Sequence, residues 1–188
     1  YEFVDQLEKA GQQYWQILPL GPTGYGDSPY QSVSTFAGNP YFISLEDLIE
    51  EKLLTREECE SCDWGGSESY VDYEKMYMSR YKLLRKAYER SDFLKDKDYE
   101  IFLKEEKNWL TDYCLFMAIK NSQKGICWID WPDELKDRHS KAVKEAEKEL
   151  ETEINFYRFQ QYCFTTQWRK LKKYANKKGI SIIGDVPI

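Results

Sequence analysis

Histidine is almost missing from this sequence: His139 is the only one. It sits among Asp137, Arg138 and Lys141 in a charged stretch, so it reads as a solvated side chain. No Ser–His–Asp arrangement is suggested, and little is left to complete a zinc site. Cysteine is scarce and odd in number, five in all, which suits a reducing cytoplasm better than a disulfide framework. Cys59 and Cys62 form a lone C-x-x-C with no second pair and no thioredoxin-type strand–helix junction, so they read as incidental thiols. No run approaches the ~18 apolar residues of a membrane-spanning helix, and no signal-peptide pattern follows Tyr1. Positive charge is not in excess. A net charge of −6 and a pI near 5.1 argue against nucleic acid or an anionic membrane as partner. Gly24 and Gly26 do not extend to a G-x-G-x-x-G fingerprint, because the position where the third glycine would fall is Pro29. Internal repeats and low-complexity linkers are also lacking. What remains, 32% charged and 16% aromatic residues, describes a folded globular protein of the cytoplasm.

Two apolar stretches read as strands. Tyr14–Leu20 is short, apolar and closed by Pro19 and Gly21, which predicts a buried strand. Ile180–Ile183 predicts a second, with Gly184 and Asp185 at its carboxyl end. Ahead of the first, Phe3–Ala10 has helical spacing, with Phe3, Leu7 and Ala10 on one stripe and Gly11 as its stop. The connection between the strands, residues 21–179, far exceeds the ~12 residues of an ordinary parallel crossover, and most of it is helical in period. Ser44 with Asp47 and Thr55 with Glu58 resemble helix-capping arrangements. Helices are expected over Glu74–Glu89 (stripe Tyr77, Tyr81, Leu84, Tyr88), Asp98–Trp109, Thr111–Lys120, and two or three between Asp133 and Lys178 ending at Gly179. Trp109, Trp128 and Trp131 fall in this helical region and read as core anchors. The Lys/Glu-rich run Lys136–Glu153 reads as a solvated face.

The stretch Leu18–Tyr41 (LPLGPTGYGDSPYQSVSTFAGNPY) carries the chemistry. It leaves the end of an apolar strand, where ligands gather in parallel α/β proteins. Aromatic rings beside hydroxyl and carboxylate groups suit a sugar, whose C–H face stacks on a ring while its hydroxyls need directed hydrogen bonds. Taken alone, Gly24–Tyr30 reads better as a surface turn shaped by Asp27 and Pro29, and the plain reading of Asp185 is a helix cap or turn residue between Gly184 and Pro187.

The run GPTGYGDSPYQS followed by FAGNPY resembles the early signature of the 4-α-glucanotransferases (amylomaltases, or disproportionating enzymes), a branch of the α-amylase-like barrel enzymes. The likeness continues through Val71-Asp72-Tyr73, Trp109–Lys120, Trp128–Pro132 and Gly184–Ile188, so it spans the whole chain and implies a fragment truncated at both ends. It implies an α/β fold, a partial (β/α)8 barrel contributing about strands 2 and 3 with an inserted helical subdomain. Residues 1–43 would be barrel with the glucan-binding loop, 44–160 the insert, and 161–188 barrel again. It implies that segments of α-1,4-glucan pass to the 4-hydroxyl of an acceptor glucan through a retaining covalent glycosyl-enzyme. A hydrolytic α-amylase relative and a non-catalytic glucan-binding module are the rival readings. On the same resemblance Ser28, Tyr30 and Asp185 contact substrate in the cleft, while Tyr25 and Tyr77 form a second glucan-binding groove. No residue is assigned a bond-breaking role, since the family's catalytic carboxylates are expected beyond residue 188, and the chain alone is expected to be inactive. Neither a metal nor an organic cofactor is implied. The expected partners are maltooligosaccharide or α-1,4-glucan donors and acceptors.

Overall fold

Strands β1 (Tyr14–Gln16) and β2 (Ser181–Ile183) pair in parallel, with Tyr14 opposite Ser181, Trp15 opposite Ile182 and Gln16 opposite Ile183. The computed structural model describes residues 1–188 apart from Tyr25, Glu68 and Ile188. Two more backbone bonds prolong the ladder, Ser181 N–H to the Gln13 carbonyl at 2.8 Å and Ile17 N–H to the Ile183 carbonyl at 2.9 Å. The chain divides into two units, residues 1–90 with 161–188 and residues 91–160.

In the first unit each strand is fed by a helix that ends in the same way. Helix α1 (Glu2–Lys9) closes through Gly11 at φ +69°, whose N–H bonds Glu8 while Gln12 N–H reaches back to Leu7. The long helix α9 (Glu151–Lys177) closes through Gly179 at φ +78°, with Gly179 N–H on Asn176 and Ile180 N–H on Ala175. Only a residue tolerating left-handed backbone makes this double closure without strain. Val4 of α1, Ala175 of α9 and Ile180 form the buried nucleus, with Leu7, Trp15, Leu171, Tyr174 and Ile182 packed on it. Val4 thus takes the place on the buried face that the spacing gives to Phe3, which lies edge-on to Trp15 instead. The expectation of a buried strand over Tyr14–Leu20 is corrected. The strand ends at Gln16, with one further ladder bond from Ile17, and Tyr14 is 63% exposed. Pro19 has no N–H to donate, the Leu20 carbonyl is turned toward Asn39 N–H, and one sheet face only is lined by the nucleus.

Three further helices belong to this unit: α2 (Leu45–Glu50), α3 (Arg56–Glu60) and α4 (Tyr73–Arg90). Ser44 caps α2 through Asp47 N–H. Thr55 and Glu58 exchange side-chain-to-backbone bonds as a full capping box on α3. Glu58 also takes a two-pronged bond from Arg90, at 2.7 and 2.8 Å, and one from Lys86. Helix α4 buries Ser79, Leu83, Leu84 and Ala87; of the expected stripe Leu84 is buried, Tyr81 and Tyr88 are half-buried, and Tyr77 is exposed. Residues 44–90, grouped by sequence with the inserted helices, make these contacts inside the strand-bearing unit.

The second unit holds α5 (Lys97–Glu105), α6 (Leu110–Ser122), α7 (Asp133–Lys136), α8 (Ser140–Glu149) and residues 151–160 of α9. Rings fill its centre: Phe93 meets Tyr99 at 4.8 Å and Phe159 at 5.4 Å, and Phe116 meets Trp131 at 5.3 Å. Trp131 is only 7% exposed and is a core anchor, whereas Trp128 is 50% exposed and is not. His139 is exposed. Among the described residues no helix is long and apolar enough to cross a membrane.

Candidate functional site

Eighteen-odd residues of irregular backbone need partners wherever they are buried, and the loop that leaves β1 finds them mainly in itself. Its neck is closed by Asn39 N–H on the Leu20 carbonyl at 2.8 Å. Inside, Gly24 N–H bonds the Gln31 carbonyl at 2.9 Å, and Thr23 bridges Ser32 in antiparallel fashion. The Ser32 hydroxyl lies 2.7 Å from the carbonyls of both Pro22 and Ser34. A side chain at Gly21 would come within 2.7 Å of that hydroxyl. At the tip Gly26 (φ +89°) and Asp27 (φ +53°) reverse the chain, and Thr23 Oγ1 donates to Asp27 Oδ1.

This turn aims two of the three substrate-contacting candidates. Half-buried Ser28 accepts from Tyr30 N–H at its Oγ and from Gln31 N–H at its carbonyl. The expected turn is therefore present, and it fixes Tyr30 at its centre. The Tyr30 phenol donates to Asp185 Oδ2 at 2.8 Å, across a sequence separation of 155 residues. Asp185 stands just past β2, its other oxygen accepting from Val186 N–H at 2.8 Å. Donation to Asp185, then burial and the carboxylate's charge, push the Tyr30 phenol above its ordinary pKa, so it stays protonated at neutral pH. Tyr30 is 46% exposed. The pair offers solvent an aromatic face, a hydroxyl and a carboxylate with acceptor capacity to spare, which is what a polyol can use.

Tyr25 lies outside the described residues. Tyr77 is 49% exposed on α4, its ring 4.6 Å from that of Tyr81.

Beside the loop opens a cleft of about 1200 Å³, lined among others by Trp15, Leu18, Tyr41, Tyr73, Glu46 and Trp168. Thr23, Asp27 and Pro29 of the loop also line it, whereas Tyr30 and Asp185 do not. Tyr41 and Tyr73 have ring centres 6.3 Å apart. Burial first, then Asp27 and the neighbouring tyrosines, push the Tyr41 phenol up to about 12. Several cleft residues, among them Leu18, Thr23, Asp27, Pro29 and Tyr41, belong to the stretch that the sequence marks for chemistry. The FAGNPY signal contains Tyr41, but nothing in the spacing brings Trp168 of α9 to the same surface. No group of three or more His, Cys, Asp or Glu side chains suited to a metal ion occurs among the described residues.

The comparisons with known proteins agree with one another. The family described as 4-alpha-glucanotransferase matches residues 1–188. A 4-alpha-glucanotransferase of Clostridium butyricum is 48% identical over the whole chain, and one of Thermus thermophilus is 44% identical over the whole chain. The chain spans 39% and 37% of their respective lengths. Among solved structures, an amylomaltase from Streptococcus agalactiae in complex with acarbose superposes with a TM-score of 0.93 at 38% identity, covering 99% of this chain and 38% of that one. With a loop of this sequence holding Tyr30 against Asp185, and with the likeness running from end to end, the chain belongs to the 4-alpha-glucanotransferase family.

Proposed function

We propose that the protein to which this chain belongs transfers segments of α-1,4-glucan to the 4-hydroxyl of an acceptor glucan or glucose, and that Ser28, Tyr30 and Asp185 belong to its substrate cleft. The observation that carries the reading is the Tyr30–Asp185 bond at the carboxyl end of β2. It sets a ring, a hydroxyl and a carboxylate side by side where parallel strands present ligands. Identity of 36 to 48% to curated 4-alpha-glucanotransferases supports the reaction class, and acarbose in the Streptococcus agalactiae amylomaltase supports an oligosaccharide-like ligand. On this reading β1 and β2 are the second and third strands of a (β/α)8 barrel, and residues 91–160 are the core of a helical insert.

The chemistry would be the retaining scheme, in which one carboxylate attacks the anomeric carbon and another serves as acid and then base. On the family resemblance Asp185 holds the cleft together without itself breaking the bond, and its bond from the Tyr30 hydroxyl supports that reading. Transfer exceeds hydrolysis when the acceptor sugar fills its subsite and excludes water. Tyr25 and Tyr77 are proposed as halves of a second glucan-binding groove. Incubating the full-length protein with maltotriose tests the reaction. Longer maltodextrins beside glucose are expected; glucose and maltose alone would make it a hydrolase, and binding without turnover a glucan-binding protein.

A further inference from the structure

The substrate-contacting loop is held at its neck by a side chain that bears no sign of function. Gln161 on α9 is 1% exposed. Its Oε1 accepts from Gly38 N–H at 2.8 Å and its Nε2 donates to the Gly38 carbonyl at 2.9 Å. One side-chain amide thereby satisfies both polar groups of one buried residue, as a neighbouring strand would. The arrangement recurs six residues along the helix: Gln167 Oε1 accepts from Ser44 N–H at 2.7 Å, and its Nε2 donates to the Ser44 carbonyl. Gly38 and Ser44 are therefore both tied to α9, each to the residue 123 positions later in the chain. Between the two glutamines Phe164 occupies the space a side chain at Gly38 would need, since a Cβ there would lie 2.0 Å from the ring. Asn39 N–H then ties the next residue to Leu20. The neck is fixed on one side to Leu20, past the end of β1, and on the other to α9.

Resting on the glucan reading above, we propose that Gln161 is a positioning residue for substrate. By pairing Gly38 it sets the angle at which the loop leaves its neck, and so the approach of Ser28 and Tyr30 to Asp185. The residue itself touches no sugar. Its role is distinguishable from simple stabilisation, because a merely structural glutamine lowers stability while each folded molecule binds as before. The neck controls a loop whose interior bonds, Gly24 to Gln31 and Thr23 to Ser32, turn the tip as one piece.

The test compares Gln161→Leu and Gln161→Glu with Leu84→Ala in the full-length protein. Leu84 is fully buried on α4 and serves as a plain core lesion. Acarbose binding is titrated well below each variant's melting temperature, and amide hydrogen exchange is followed at Gly38 and Asn39. Gln161→Leu is expected to weaken binding about tenfold and to speed exchange at the neck by a similar factor. Gln161→Glu keeps the acceptor for Gly38 N–H and should fall between, while Leu84→Ala melts earlier with unchanged affinity. If Gln161→Leu leaves neck exchange at the wild-type rate, the clamp does not exist. If exchange rises but affinity matches Leu84→Ala, the positioning role is overturned and only a structural one remains. Should Gln161→Leu not accumulate as folded protein, the same two outcomes are read from Gln161→Glu. Wild-type protein that fails to bind acarbose or maltoheptaose would refute the glucan reading, while the exchange data would still decide the clamp.

Discussion

The loop over residues 21–44 and the helical unit over residues 91–160 reach order by opposite means. In the loop, backbone groups are answered by Ser28, Ser32, Ser34, Asn39, Gln161 and Gln167 side chains. In the helical unit, backbone bonds are local to each helix and rings interlock in the centre. Packing is non-directional and tolerates adjustment, whereas a hydrogen bond fixes direction as well as distance. The region that must aim a phenol at a carboxylate is the one built from directed bonds.

The largest effect that sharpens this contrast is expected from Phe159→Ala in the helical unit. Phe159 is among the most deeply buried side chains, and its loss should cost about 3–5 kcal/mol, seen as a lower urea midpoint. Gly38→Ala attacks the loop neck instead. Its Cβ would collide with the Phe164 ring, an overpacking cost of about 1–3 kcal/mol. Adding Phe164→Ala should recover part of that cost, so the two changes are non-additive in chemical denaturation. An additive pair would mean the neck is not packed as described.

Tyr30→Ala should hardly alter stability, yet lower kcat/KM for maltooligosaccharides by about tenfold or more, close to 1.4 kcal/mol of transition-state stabilisation. Near-wild-type kinetics would remove Tyr30 from the site. The Glu58 clamp gives a smaller effect, dependent on pH. Arg90 above all, with the Thr55 amide and Lys86, holds this carboxyl far below its ordinary value of 4.5. Its stabilisation is complete above pH 4.5 and drains away as pH falls toward the folded-state value. Wild type should therefore lose stability on acidification below pH 4.5 more steeply than Glu58→Gln, as followed by thermal melts; parallel profiles would contradict this. The smallest expected effect is that of Tyr77→Ala. It should shift binding of long glucans or the product size range by a few-fold, about 1 kcal/mol or less, and spare maltotriose. Equal losses on both substrates would put Tyr77 in the main cleft.

Legibility in the sequence follows the same division. The capping box of Thr55 and Glu58, the stops at Gly11 and Gly179 and most helix spans were readable, because caps and periodicity are local signals. The length of β1 was not, since strand ends depend on which backbone partner is present, and the Leu20 carbonyl turns to Asn39. The chain's resemblance to a family put Tyr30 and Asp185 on one site list, while no local pattern joins residues so far apart. Gln161 and Gln167 carry no signal of their role in the sequence. A glutamine on an amphipathic helix reads as a solvent-facing residue, and only the fold shows a buried backbone segment beside it. Trp128 misled in the other direction, as tryptophan is usually an anchor and here stands half-exposed.

The parallel pairing of β1 with β2 also dictates an order of events during synthesis. Tyr14 is made long before Ser181, its partner, and closing so long a loop delays non-local pairing. Residues 91–160 wait less, because their backbone bonds lie mainly within single helices that form as the chain emerges, and only contacts such as Phe93 with Phe159 need the start of α9. A nascent molecule thus carries an unpaired β1 edge, apolar at Trp15 and Ile17, until α9 is complete and Gly179 turns the chain into β2. Protection of that edge in the interval, by a chaperone or by rapid elongation through α9, would set the yield of correctly folded protein.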